Sequence, residues 1–126
     1  MSAVKKESIL VIDDDKLNII ALTRILNSDY QVYFESDGES GIKAAKTFKP
    51  DLILLDVVMP GMTGFEVIAA LKNDEDTKNI PVIFLTGRRD IQDEEMGFVL
   101  GAVDYITKPF STSVVKLRVC NHLKSV

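Results

Sequence analysis

Short unbroken apolar runs alternate along this chain with longer stretches whose apolar residues recur every three or four positions. Ile9-Leu10-Val11-Ile12, Leu52-Ile53-Leu54-Leu55 and Val82-Ile83-Phe84-Leu85 contain no polar residue. That is the pattern of strands buried on both faces of a helix-covered parallel sheet. Tyr30 to Phe34 instead alternates, with Tyr30, Val32 and Phe34 set against Gln31 and Tyr33. Its β-forming residues predict a strand nearer the sheet edge. Ala102 to Ile106 predicts a fifth, short strand.

Helical spacing fills the intervals. Lys16 to Asn27 predicts a helix with a core-facing stripe of Leu17, Ala21 and Ile25, Leu22 and Leu26 beside it, and Asp15 as its N-cap. Ser36 and Glu39 have capping-box spacing and predict a helix through Ile42, Ala45 and Phe48 to about Lys49, closed by Pro50. Pro60-Gly61 suits the centre of a type II turn. Thr63 and Glu66 then repeat the capping-box spacing at the start of a helix that carries Phe65, Ile68 and Leu71 to about Asn73. Asn73 to Asn79 is a polar loop. Asp90 can cap a helix holding Met96 and Val99, with Gly101 at its C-terminal cap. Ser111 or Thr112 opens a last helix with Val114, Leu117 and Cys120 or Asn121 on one side. Such strand–helix alternation predicts right-handed crossovers and a parallel sheet with helices on both faces.

Composition narrows the class. A length of 126 residues, 46% of them hydrophobic, suits one domain with a real core. No repeat, low-complexity tract or linker divides it. Fifteen basic residues against 19 acidic ones leave a net charge of −4, which argues against sequence-blind nucleic-acid binding. Protein partners and small phosphorylated ligands stay open. The single Cys120 cannot form an internal disulfide, so a reducing compartment is expected. The apolar run after Met1 is too short for a signal-peptide core, and none approaches the roughly 18 residues of a membrane span. These features predict a soluble cytoplasmic protein.

In a sheet of this kind, residues just past the strand C-termini meet along one edge. Asp13 and Asp14, Asp56, Thr86 and Lys108 stand at such positions. Three carboxylates brought together repel one another, and a hard divalent cation with oxygen ligands, Mg²⁺ most naturally, would balance them together with Lys108. Each residue also has a plainer role. Asp56 fits a turn, the three acids a solvated loop with Asp15 as helix cap, Lys108 a surface charge and Thr86 a strand end. Tyr105 and Phe110 fit core aromatics. His122 lies in the last helix, away from this edge, and gets no catalytic role.

Taken in order, four features resemble the receiver domain of bacterial two-component response regulators. They are the acid pair after the first strand, the lone Asp56 followed by MPGMTG (59–64), Thr86-Gly87 after the fourth strand, and GAVDYITKPF (101–110). The resemblance runs from about Ser8 to Leu123. It implies a flavodoxin-like doubly wound (βα)5 fold with strand order 2-1-3-4-5. By the same resemblance Asp56 is the phosphoacceptor, Asp14 a direct Mg²⁺ ligand and Asp13 an acid acting largely through metal-bound water. The Val58 backbone carbonyl completes the metal site, where Mn²⁺ could replace Mg²⁺. Lys108 pairs with the phosphoryl group and would precede Pro109 through a cis bond. Thr86 swings in to bond the phosphoryl group, and Tyr105 turns inward with it. Val58 and Arg88 flank the site where the family tunes phosphoryl lifetime.

The partners implied are a sensor histidine kinase or phosphotransfer protein, and an output domain or protein reached through the fourth helix, fifth strand and fifth helix. A phosphorylation-dependent homodimer is implied too, and direct nucleic-acid or membrane binding is not. No turnover of a separate substrate is expected. Residues 1–126 form one receiver, either stand-alone or the front of a longer regulator. The ending FSTSVVKLRVCNHL (110–123) resembles receivers joined by a helix to cyclic-dinucleotide enzymes or kinases. Two other functions share these residues. A phosphorylation-independent pseudo-receiver would usually have lost Asp56, the acid pair or Lys108, and all are present. A haloacid-dehalogenase-type phosphatase would use an Asp nucleophile, Mg²⁺, Thr and Lys, but no second acid pair follows a later strand.

Overall fold

The apolar runs become the inner strands of one sheet. The computed structural model of the protein describes residues 6–87 and 91–123, apart from the side chains of 91–94. Among them are β1 (Ser8–Ile12), α1 (Lys16–Leu26), β2 (Gln31–Glu35), α2 (Gly38–Phe48), β3 (Leu52–Asp56), α3 (Gly64–Lys72), β4 (Val82–Thr86), α4 (Ile91–Leu100), β5 (Asp104–Thr107) and α5 (Thr112–Leu123). The strands are parallel in the order β2-β1-β3-β4-β5. Every residue of β3 and β4 is buried, as unbroken apolar runs require in a sheet covered on both sides. At about 1.5–3 kcal/mol for each fully buried aliphatic side chain, these strands dominate the driving force for this topology.

Two cores follow, one on each face of the sheet. One holds Leu10, Ile12, Ile53, Leu55 and Phe84 against α2 and α3. The other holds Ile9, Val11, Leu52, Leu54 and Leu85 against α1 and α5. β2 lies at the edge, as its alternation predicts, one residue later than the sequence suggests. β5 begins at Asp104, two residues later than expected.

Several local predictions hold. Asp15 caps α1, its Oδ1 accepting from the Leu17 N–H at 2.9 Å. Thr63 and Glu66 form the complete capping box of α3. Gly61 has φ +80, as the third residue of a type II turn needs. Gly101 ends α4 with φ +110. Its N–H donates to Phe98 O, and the Ala102 N–H donates to Gly97 O at 2.9 Å, the paired bonds of a Schellman end. Asp90 lies outside the described residues.

Others are corrected. The N-cap of α2 is Asp37 and not Ser36: Asp37 accepts from both the N–H and the hydroxyl of Ser40, which leaves Glu39 in the first turn. Each carboxylate oxygen of Asp37 takes one of the two donors, the backbone N–H at 2.8 Å and the hydroxyl at 3.0 Å. The stripe of α1 that meets the sheet is Ile19, Leu22 and Leu26, and Leu17 is 75% exposed. In α5 the buried pair is Val115 and Val119, while Leu117 is 60% exposed and Cys120 is exposed. In α4, Met96 and Val99 face outward, Val99 at 82% exposure, and Gly97 is buried. α1 and α5 each carry more than one apolar stripe, and the sheet takes only one of them.

Candidate functional site

Register brings the strand ends level. Ile12 lies opposite Leu55, so Asp13 follows β1 beside Asp56 at the end of β3. Asp56 lies opposite Leu85, and Thr86 opposite Thr107, after which comes Lys108. Chemistry from four strands therefore meets at one place with no long loop to order.

Carboxylate oxygens of Asp13, Asp14 and Asp56 lie within 4.8 Å of one another. Asp13 and Asp56 are buried and Asp14 is exposed. Lys108 Nζ stands 3.1 Å from Asp56 Oδ1 and 3.8 Å from Asp13 Oδ2. The Lys108 N–H donates to Thr86 O at 2.8 Å, and the Lys108–Pro109 bond is cis. At an effective dielectric of about 20, two carboxylates about 5 Å apart repel by about 3 kcal/mol. One ammonium cannot offset three of them, so two negative charges stay unbalanced, the charge of one divalent cation. Burial pushes the Asp56 carboxyl up to about 6, the Asp13 charge adds to this, and Lys108 pulls it back. Oxygen donors, their spacing and the residual charge all suit Mg²⁺.

Asn18 is the member of this site that the sequence does not announce. Its amide donates to Asp13 Oδ2 at 3.2 Å, and the Asp15 N–H donates to Asp13 Oδ1 at 2.9 Å. Between them they fix the buried carboxylate. Asn18 lies in the first turn of α1, five residues after Asp13. An amide placed to reach back over a helix start is its only sequence signal, and many helices carry one without purpose. Val58 is 78% exposed just beyond Asp56. Thr86 is buried at the end of β4. Arg88 lies outside the described residues.

Tyr105 is not part of the acidic cluster. Its ring is 8% exposed and lies against Phe84 with centroids 5.6 Å apart, and Phe98 meets it edge-on at 5.1 Å. Beside it a cavity of about 350 Å³ opens between α4, β5 and α5, lined by Phe98, Tyr105 and Val114 among others. His122 lies on this side of the molecule and not at the acids: its Nε2 is 3.0 Å from Asp104 Oδ2, and Arg118 Nη1 donates to Asp104 Oδ1 at 2.9 Å. No helix among the described residues is long and apolar enough to cross a membrane.

Comparison with known proteins decides the family. The model of the response regulator receiver domain matches residues 9–119. The chain is a response-regulator receiver domain. The receiver is 41% identical over 125 residues to a probable cyclic di-GMP phosphodiesterase of Vibrio cholerae, covering 99% of this chain and 28% of that protein. It spans about half or less of the curated relatives it matches. A putative response regulator from Chloroflexus aurantiacus superposes with a TM-score of 0.90 at 32% identity, covering 94% of the receiver and 98% of that chain. The receiver domain of the Pseudomonas aeruginosa sensor histidine kinase PA1611 has a TM-score of 0.87 at 26% identity, covering 95% and 99%. That structure holds a magnesium ion in its active-site cleft. The receiver therefore has the flavodoxin-like five-stranded fold of its family, a signalling module of two-component systems.

Proposed function

We propose that this receiver takes a phosphoryl group onto Asp56 from a histidine kinase or phosphotransfer protein and relays the event to its α4–β5–α5 face. The observation that carries the reading is the convergence of Asp13, Asp14 and Asp56 within 4.8 Å, with Lys108 3.1 Å from Asp56. An Asp56 carboxylate oxygen attacks phosphorus in line, an O–P bond forms, and the bond to the donor breaks with its electron pair leaving on the donor. Lys108 faces the incoming phosphoryl oxygens, and little is required of the protein beyond positioning and charge. Asp13, Asp14, Asp56 and the Val58 carbonyl would hold Mg²⁺. When bound, Mg²⁺ would neutralise charge on the transferred group. Asn18 and the Asp15 N–H keep Asp13 in place for it. The Thr86 hydroxyl answers the new oxygens, and Tyr105 reports its movement to the outer face.

The output is a domain of the same full-length protein or a separate partner bound at α4–β5–α5, in the cytoplasm. Residues 1–126 act as one receiver unit. The exposed Met96, Val99, Val114 and Leu117 give that face an apolar surface for a partner or a second copy. No turnover of a separate substrate belongs to this unit. With Mg²⁺ and a small phosphodonor such as acetyl phosphate, intact mass is expected to rise by one phosphoryl group, and Asp56→Asn to abolish the gain. An unchanged wild-type mass would sink the reading, and an undiminished gain in the variant would move the acceptor elsewhere.

A further inference from the structure

Among the described residues of α4, the one buried most deeply has no side chain. Gly97 is buried, while Glu95, Met96, Phe98 and Val99 around it are exposed. Directly beneath Gly97 lie the Tyr105 phenol and the Phe84 ring. A Cβ at position 97 would overlap Tyr105 Oη outright, and would stand 2.8 Å from Tyr105 Cζ and 3.0 Å from Phe84 Cδ2. Contacts that short do not persist in a close-packed interior, so one of the groups must move.

The surroundings select which one. Phe84 is fully buried on β4 and held edge-on by Phe65 at 5.5 Å. The end of α4 is tied to the chain leading into β5 by Gly101 N–H to Phe98 O at 3.1 Å and Ala102 N–H to Gly97 O at 2.9 Å. The next residue, Val103, donates its N–H to Val82 O of β4 at 2.9 Å, so lifting the end of the helix pulls on the sheet. Tyr105 is also met edge-on, by Phe98 at 5.1 Å, but it borders the open cavity between α4 and α5, so its ring has somewhere to go.

We propose that Gly97 is a positioning residue: its missing side chain is the seat that admits the Tyr105 ring, and any side chain there holds the ring outside. This deepens the reading of Tyr105 as the reporter of Asp56 phosphorylation and rests on it. It makes the placement of α4 and the rotamer of Tyr105 a single two-state element. A receiver with a side chain at position 97 would still accept a phosphoryl group but would no longer deliver the inward ring.

Labelling with 3-fluorotyrosine tests this, since the chain has three tyrosines, assignable by Tyr→Phe variants. In the wild type the Tyr105 fluorine should show a small H2O/D2O isotope shift. In Gly97→Ala it should show the full shift of a solvent-facing ring, with or without acetyl phosphate and Mg²⁺, while the phosphoryl mass gain persists. A ring that stays shielded in Gly97→Ala overturns the proposal. A second measurement covers poor folding of that variant. The Tm loss from Gly97→Ala should shrink in the Tyr105→Leu background, because residues in contact are not additive. An equal loss in both backgrounds also overturns it. A wild type that gains no phosphoryl group would strike the Asp56 reading, while the fluorine shifts would still decide the seat.

Discussion

Asp56 is held in a site where ionising its carboxyl costs more than it does in water. Burial and the Asp13 charge raise its carboxyl to about 6 against the pull of Lys108. A carboxyl raised above its unfolded value near 3.8 contributes stability that is fully present below that value and lost as pH rises through about 6. With Mg²⁺ chelated, the Tm of Asp56→Asn should therefore exceed that of the wild type at about pH 8. The difference should narrow towards about pH 5, and adding Mg²⁺ at about pH 8 should shrink it. A difference that is flat across this range would mean that Asp56 is ionised without cost. Asp13 and Lys108 are legible in the sequence because strand ends announce themselves. Asn18 is not, because its contact with Asp13 depends on how α1 leaves the sheet.

At the scale of elements, helix ends divide into those that spacing identifies and those that geometry chooses. Thr63 and Glu66 do what their spacing predicts, whereas Ser36 and Glu39 have the same spacing and do not. Asp37 intervenes, its carboxylate held below the usual range by the backbone N–H and hydroxyl of Ser40. Asp37→Ala should lower the urea midpoint, and Ser36→Ala should leave it nearly unchanged. The reverse result would restore Ser36 as the cap. Helix faces divide in the same way. Val114 and Leu117, and equally Val115 and Val119, sit at helical spacing, so periodicity supports either stripe of α5.

For the whole molecule, that choice separates the stripe that stabilises the fold from the stripe left free for the proposed output. Val119 is fully buried against the sheet and Leu117 is exposed. Val119→Ala should cost about 2 kcal/mol in chemical denaturation. Leu117→Ala should stay within about 0.5 kcal/mol and instead weaken phosphorylation-dependent self-association or partner binding, read by sedimentation. Large destabilisation by Leu117→Ala would place the outer stripe in the core. The proposed input and output are likewise apart, because Asp56 opens at the strand ends while Tyr105 faces α4 from the next strand but one.

The alternation of apolar runs and helical stripes was enough to determine the three inner strands, their burial on both faces, and the acids, threonine and lysine at the strand ends. Full burial leaves a strand one reading, and chemistry at its end follows from where it stops. Tertiary structure alone decided which stripe of α1 and α5 meets the sheet, that Asn18 holds Asp13, and that Gly97 lies over the Tyr105 ring. A helix with two apolar stripes is degenerate until a surface is set against it. Contacts between residues distant in the chain exist only once register fixes how far one strand end lies from the next.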